Sequence, residues 1–249
     1  MINYLKSENY RLLHKKNLYM TSVICLLLIA AAAVVLYYSQ KSDPSFPYAT
    51  TRFFYSNVIG SGGLIMIISF LFNFNLTGKD TSLIKQSVSF GISRNTIFWS
   101  KLILTLSYFL LVCVIGLFLM IMLGENLLSS EDQSINNFLI ASINMVPIIL
   151  SGFFIIHALK MLKISDVYIF ILLLLIVVFS GDLLRFLLRP FAGLNELYKY
   201  APNTLLNENL MNFFNGVAKF GFEYWITGIG ISVVALLIGS RKFARLNID

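Results

Sequence analysis

Six stretches of this chain are long and apolar enough to cross the hydrocarbon core of a bilayer as helices, which takes about 20 residues each. They lie at 18–38, 57–76, 97–123, 138–159, 167–188 and 222–240. Only helices and closed barrels satisfy their backbone hydrogen bonds in lipid. These runs are continuous rather than alternating, which excludes barrel strands. The expected class is therefore all-α, a polytopic membrane protein forming one domain over 1–249. Composition agrees, with 57% of residues hydrophobic and 12% charged, against roughly 25% charged in a soluble domain.

The cations set the expected orientation. With both termini in the cytoplasm, 13 of the 19 Lys and Arg residues fall inside and 6 outside. The net charge of +7 is then a signal of topology. No basic face interleaved with stacking aromatics accompanies it, so nucleic acid is not an expected partner. The first apolar run is too long for a secretory signal, and its alanines at 30–33 stand inside the run, where no cleavage site belongs. Residues 1–17 set Ile2, Leu5, Leu12 and Leu13 against Lys6, Arg11, Lys15 and Lys16. That pattern predicts an amphipathic helix in the cytoplasmic interface; a plain basic leader is the alternative. Cys25 and Cys113 fall within spans and read as small apolar fillers.

Catalytic chemistry is not legible. The glycine cluster "GSGG" at 60–63 lacks the lysine of a phosphate cradle, and reads as small residues permitting close helix packing. The two histidines, His14 and His157, fall in separate segments, and His157 reads as a packing or interfacial residue. Asn73 and Asn75 read as interface residues closing the second span, and Asn144 and Pro147 as a polar, kinked point in the fourth. Asp182 and Arg185, three apart near the outer end of the fifth span, can pair; they are candidates for an external gate, or for a plain interfacial ion pair. The stretch 182–221 is too polar to span and too apolar for an ordinary loop. It predicts two short re-entrant helices, at 189–221, before the last span; an amphipathic surface loop is the alternative.

The segment 77–96 is the one cytoplasmic connection expected to form a helix of its own, over 81–92. Asp80, Thr81 or Ser82 can cap it, Ile84, Val88 and Ile92 share a face, Gly91 can end it and Ser93 can cap the next span. Its string "LIKQSVSFGISRNTIFWSKLI" resembles the coupling-helix region of permeases of type-2 ABC exporters (type V fold). More closely, it is similar to the small bacterial permeases of bacitracin-resistance, lantibiotic-immunity and phenol-soluble-modulin exporters. The turn Gly91-Ile92-Ser93-Arg94, the leader and the six-span layout carry the likeness.

The resemblance implies a bacterial plasma-membrane subunit exporting amphipathic or antimicrobial peptides, or lipid-like substrates. It implies a second permease copy or sister permease, and two copies of a separate ATPase. That ATPase holds the ATP and Mg; this chain holds no cofactor and is no enzyme. The ATPase would dock on the 81–92 helix, with Ile84, Val88 and Phe90 filling an apolar groove, Lys85 and Arg94 pairing with its acids, and Gly91 giving the turn. A stand-alone secondary transporter, or a membrane sensor or assembly partner, is the alternative reading.

Overall fold

The computed structural model describes residues 2–77, 81–191 and 193–246. Among these the regular structure is helical: α1 (Ile2–Leu13), α2 (Lys16–Ser42), α3 (Thr51–Ile59), α4 (Gly62–Thr77), α5 (Thr81–Ser89), α6 (Arg94–Leu127), α7 (Ser134–Met161), α8 (Asp166–Leu174), α9 (Ser180–Leu188), α10 (Pro202–Phe214) and α11 (Phe222–Arg245). A π turn, Leu175–Phe179, joins α8 to α9, and a 3-10 turn, Asn195–Tyr200, precedes α10. Five helices are long and apolar enough to cross a membrane: α2, α6, α7, the continuous Asp166–Leu188 and α11. The pair α3 and α4, bent by 54°, makes a sixth if counted as one span.

Helix α7 is the centre of the bundle. In its most apolar window 61% of residues are buried, against 11–22% in the other four. Helix α11 lies along it on small residues. A Cβ at Gly228 would stand 2.5 Å from the carbonyl carbon of Pro147, and one at Gly239 would strike Ala158. Gly228 and Ser232 are four apart, so both fall on the face that lets the two backbones approach. Pro147 has no N–H to give its own helix, and α11 covers the chain at that point.

The glycine cluster at 60–63 does pack closely. Cβ atoms at Gly60 and Gly62 would meet Leu210 and Leu206 of α10 at 3.5 Å and 3.1 Å. It also breaks the helix, which the apolar run alone did not predict. The helix starts six residues before the expected 57, because Thr50 caps it: its Oγ1 accepts from Phe53 N–H at 3.2 Å. Arg52, the charge that shortened the apolar run, forms an ion pair with Glu131 at 2.7 Å. Neighbouring bonds tie the same two loops, with Thr51 N–H donating to Ser129 O and Ser129 N–H to Ala49 O, each at 3.1 Å.

Between the last two spans, α10 is held by an asparagine pair. Asn144 of α7 donates to Asn209 Oδ1 at 3.2 Å and to Lys219 O at 2.8 Å, and accepts from Gly221 N–H at 3.1 Å. Asn209 donates to Ala141 O at 2.9 Å. Where the π turn disturbs the helical pattern, Asn203 Nδ2 donates to Val178 O at 2.8 Å. Asn144 is thus a clasp on the segment before α11, a role its position in an apolar run did not reveal. Asn144→Ala leaves buried groups unpaired, at about 1–3 kcal/mol each. The expected outcome is a lower melting temperature in detergent and faster proteolysis within 215–221.

Candidate functional site

The predicted elbow forms. Helix α5 covers Thr81–Ser89, three residues short of the expected 92; Asp80, one of its expected caps, lies outside the described residues. It closes with both bonds of a Schellman motif: Ile92 N–H donates to Ser87 O at 3.1 Å and Gly91 N–H to Val88 O at 3.0 Å. Gly91 has φ +81° with nothing within 4 Å of its would-be Cβ, so only backbone conformation demands glycine there. Ser93 caps α6 as expected, accepting from Thr96 N–H at 3.2 Å.

Two parts of the expected docking surface face the other way. Ile84 is 6% exposed and packs with Ile97, Phe98, Met161 and Phe243, while half-buried Val88 and Ile92 rest on the same cluster. Their i, i+4, i+8 spacing marks the face of α5 turned to the bundle. Arg94 is also committed: its guanidinium donates to Ala244 O at 3.0 Å and Leu246 O at 2.5 Å, capping the end of α11. Cations are favoured at that end of a helix. What α5 turns outward is Leu83, Lys85, Gln86 and Phe90, the last 76% exposed. A groove of about 800 Å³ separates this elbow from α1, with Tyr4, Glu8, Arg11, Gln86, Phe90 and Ser93 in its walls. Burial, and then the Glu8 carboxylate, raise the pKa of the Tyr4 phenol above its ordinary range.

Beneath the elbow is a buried polar cluster that sequence reasoning missed. Lys101 is fully buried, donating to Leu76 O at 2.6 Å and pairing with Glu8 at 3.2 Å. Glu8 also pairs with Arg11, at 2.6 Å. Lys15 donates to Asn75 O. Two lysines, one from the leader and one from α6, thus cap the last carbonyls of α4. The leader helix is therefore docked along α6, with Tyr108 O–H donating to Asn9 at 3.2 Å. Asn73, read as an interface residue, and His157, read as a packing or interfacial one, are both buried: His157 Nδ1 meets Asn73 Oδ1 at 3.1 Å and Nε2 meets Phe98 O at 3.2 Å. Both partners are oxygens, so a neutral ring donates to only one of them. The available signal was Glu8: the one acid in the leader, three and four residues from Leu5 and Leu12, and so on the apolar face.

At the far end of the bundle the expected pair is not made. Among the described residues no ion pair joins Asp182 to Arg185. The Arg185 guanidinium instead lies 5.5 Å from the centre of the Tyr198 ring. A cation over an aromatic face gains electrostatic attraction, so Arg185 ties α9 to the 3-10 turn. Among the described residues no three His, Cys, Asp or Glu side chains gather as a metal site would require. Comparison of the chain with protein-family models, with curated proteins and with solved structures gives no match.

Proposed function

We propose that this chain is the permease subunit of an ATP-driven ABC exporter in the bacterial plasma membrane. It carries amphipathic or antimicrobial peptides outward, and ATP is hydrolysed on a separate subunit. The observation that carries this reading is the elbow. An ATPase moves a permease only through a stiff contact, and α5 is stiffened three times: by its complete terminal turn, by the apolar cluster under Ile84, and by Arg94 holding the end of α11. Its outer face, with Leu83, Lys85 and Phe90, has the apolar and basic character that an acidic-rimmed groove would take.

Six crossings with both termini in the cytoplasm accord with the position of α1 and the end of α11 at the same end of the bundle, joined through α5 and α6. An even number of crossings requires that α3 and α4 act as one span. The re-entrant reading of α10 draws on its packing against the α3–α4 break. Two copies, or one copy and a sister permease, would complete the transporter, meeting on lipid-facing helices such as α2.

The test is co-purification with a candidate ABC ATPase, then ATP hydrolysis with and without amphipathic peptides. A stoichiometric complex whose ATPase activity responds to peptide is the expected result. A chain that never retains an ATPase, or a complex with one permease per two ATPases by native mass spectrometry, defeats the reading. The second reading, a stand-alone secondary transporter, draws on the buried Glu8–Lys101 pair, since ionisable groups inside membrane bundles often serve transport. Proton-coupled flux by the chain alone in liposomes would favour it.

A further inference from the structure

We propose that the chain binds a single alkyl chain in a cavity within its own bundle, and that the Ser142 hydroxyl donates to a carbonyl oxygen at the head of that alkyl chain. The cavity measures about 310 Å³, at the small end of the roughly 300–1,000 Å³ usual for small-molecule sites. Its walls come from α2, from both sides of the α3–α4 break, from α6 and from α7. Cys25, Cys113 and Ile149 are among them, and so are exposed Leu28 and Leu64. The cavity therefore opens sideways, on a flank these helices turn toward lipid.

Ser142 marks its polar point. Several helical serines here bond back to their own turn: Ser22 to Leu18 O, Ser107 to Ile103 O, Ser151 to Ile148 O and Ser232 to Gly228 O. Ser142 and Ser100 do not, and of these two only Ser142 lines the cavity. Ser142 is 6% exposed, and its Oγ has no hydrogen-bond partner among the described residues. A buried hydroxyl left unpaired is costly, and here it belongs to the wall of an apolar cavity. The other polar wall residues are already engaged. Asn57 Nδ2 donates to Phe53 O at 3.0 Å, and Ser61 Oγ donates to Asn57 O. No charged residue lines the site. The chemistry it recognises is hydrocarbon with one neutral acceptor, an ester or amide carbonyl. Such a chain comes either from a bilayer lipid or from an acylated amphipath. The proposal concerns this chain alone and holds with or without an ATPase.

The experiment uses the full chain in nanodiscs containing a trace of phosphatidylglycerol with a diazirine in one acyl chain. Photolabelled peptides are mapped by mass spectrometry, with unlabelled ester-linked and ether-linked lipids as competitors. Saturable labelling around Cys25, Cys113 and Ile149 is expected. The ester lipid should compete better than the ether lipid by roughly 2- to 12-fold, the worth of one hydrogen bond. Ser142→Ala should keep the labelling and erase that preference, and Val112→Trp, which fills the cavity, should abolish the labelling. Displacement by excess N-lauroyl peptide assigns the site to an acylated amphipath, and resistance to it assigns the site to a resident lipid; either supports an alkyl site. Labelling spread evenly over the lipid-facing helices overturns the proposal. So does the same ester-to-ether ratio in the native chain and in Ser142→Ala.

Discussion

If the chain is the proposed exporter permease, the double variant Leu83→Asp, Phe90→Asp is expected to insert and fold like the native chain and to lose binding of the ATPase. Neither side chain belongs to the buried cluster under α5; Phe90 is 76% and Leu83 38% exposed, at the rim of the groove facing α1. In a docked complex the same two positions would bury acids against an apolar groove, where an unpaired charge is strongly disfavoured. Pull-down of the ATPase should fall to background and peptide export should stop, with an unchanged melting temperature. The inward-facing Val88→Asp is the contrasting variant. It places charge in the cluster of Ile84, Ile97 and Phe243, and should lower the melting temperature whether or not an ATPase is present. Gly91→Val strains the turn at φ +81°, at about 1–3 kcal/mol; Gly91→Asn should be tolerated better, since asparagine accepts that conformation. Full ATPase binding by the double aspartate variant would mean that the elbow is only a connection.

The second large effect concerns stability. Glu8→Gln is expected to destabilise the chain by about 3–5 kcal/mol, the usual cost of breaking a buried ion pair from one side. Lys101 is fully buried and pairs with Glu8 at 3.2 Å, so the substitution takes one charge out of an ion pair in a dry site. In Glu8→Gln, Lys101→Met both charges of the pair are removed, so the double variant should lose less than the sum of the singles. Lys6→Gln, on the exposed side of the same helix, should shift stability by no more than about 0.5 kcal/mol. Thermal unfolding in a fixed detergent reads all four variants, and proteolysis within the leader reports whether α1 has come away. Additive losses from Glu8 and Lys101 would show that the two do not act as a pair.

These two predictions touch what was legible in the sequence and what was not. Long apolar runs follow from the thickness of a bilayer, so the spanning helices could be read directly. Gly91 and Ser93 could be read because a helix end is a local event, closed within a few residues. Facing was harder. Ile84, Val88 and Ile92 were visible as a stripe, but a stripe does not say whether the bundle or a partner covers it. The partners that Arg94 and Arg185 have within the chain were not legible for a related reason. A long side chain takes the best acceptor in reach, and here those are the carbonyls of residues 244 and 246 and the Tyr198 ring, far away in sequence or beyond a turn. The helix break at 60–63 escaped notice because hydropathy stays high across glycine. Glu8, Asn73, Asn144 and His157 each looked unremarkable alone, since a buried polar group is explained only by its partner, and their partners are distant.

The docking of the leader also has a consequence for how the protein is made. Glu8 emerges from the ribosome before the lysine that receives it, which stands 93 residues later. At about 5–20 residues per second, that interval is roughly 5–20 s. Throughout it the carboxylate is without Lys101, and α1 has no α6 to pack on. The arrival of α6 lets α1 dock through Glu8 and brings Lys101 to the end of α4. Helix α1 is thus seated only after α6 has been made, so its seating reports the arrival of α6.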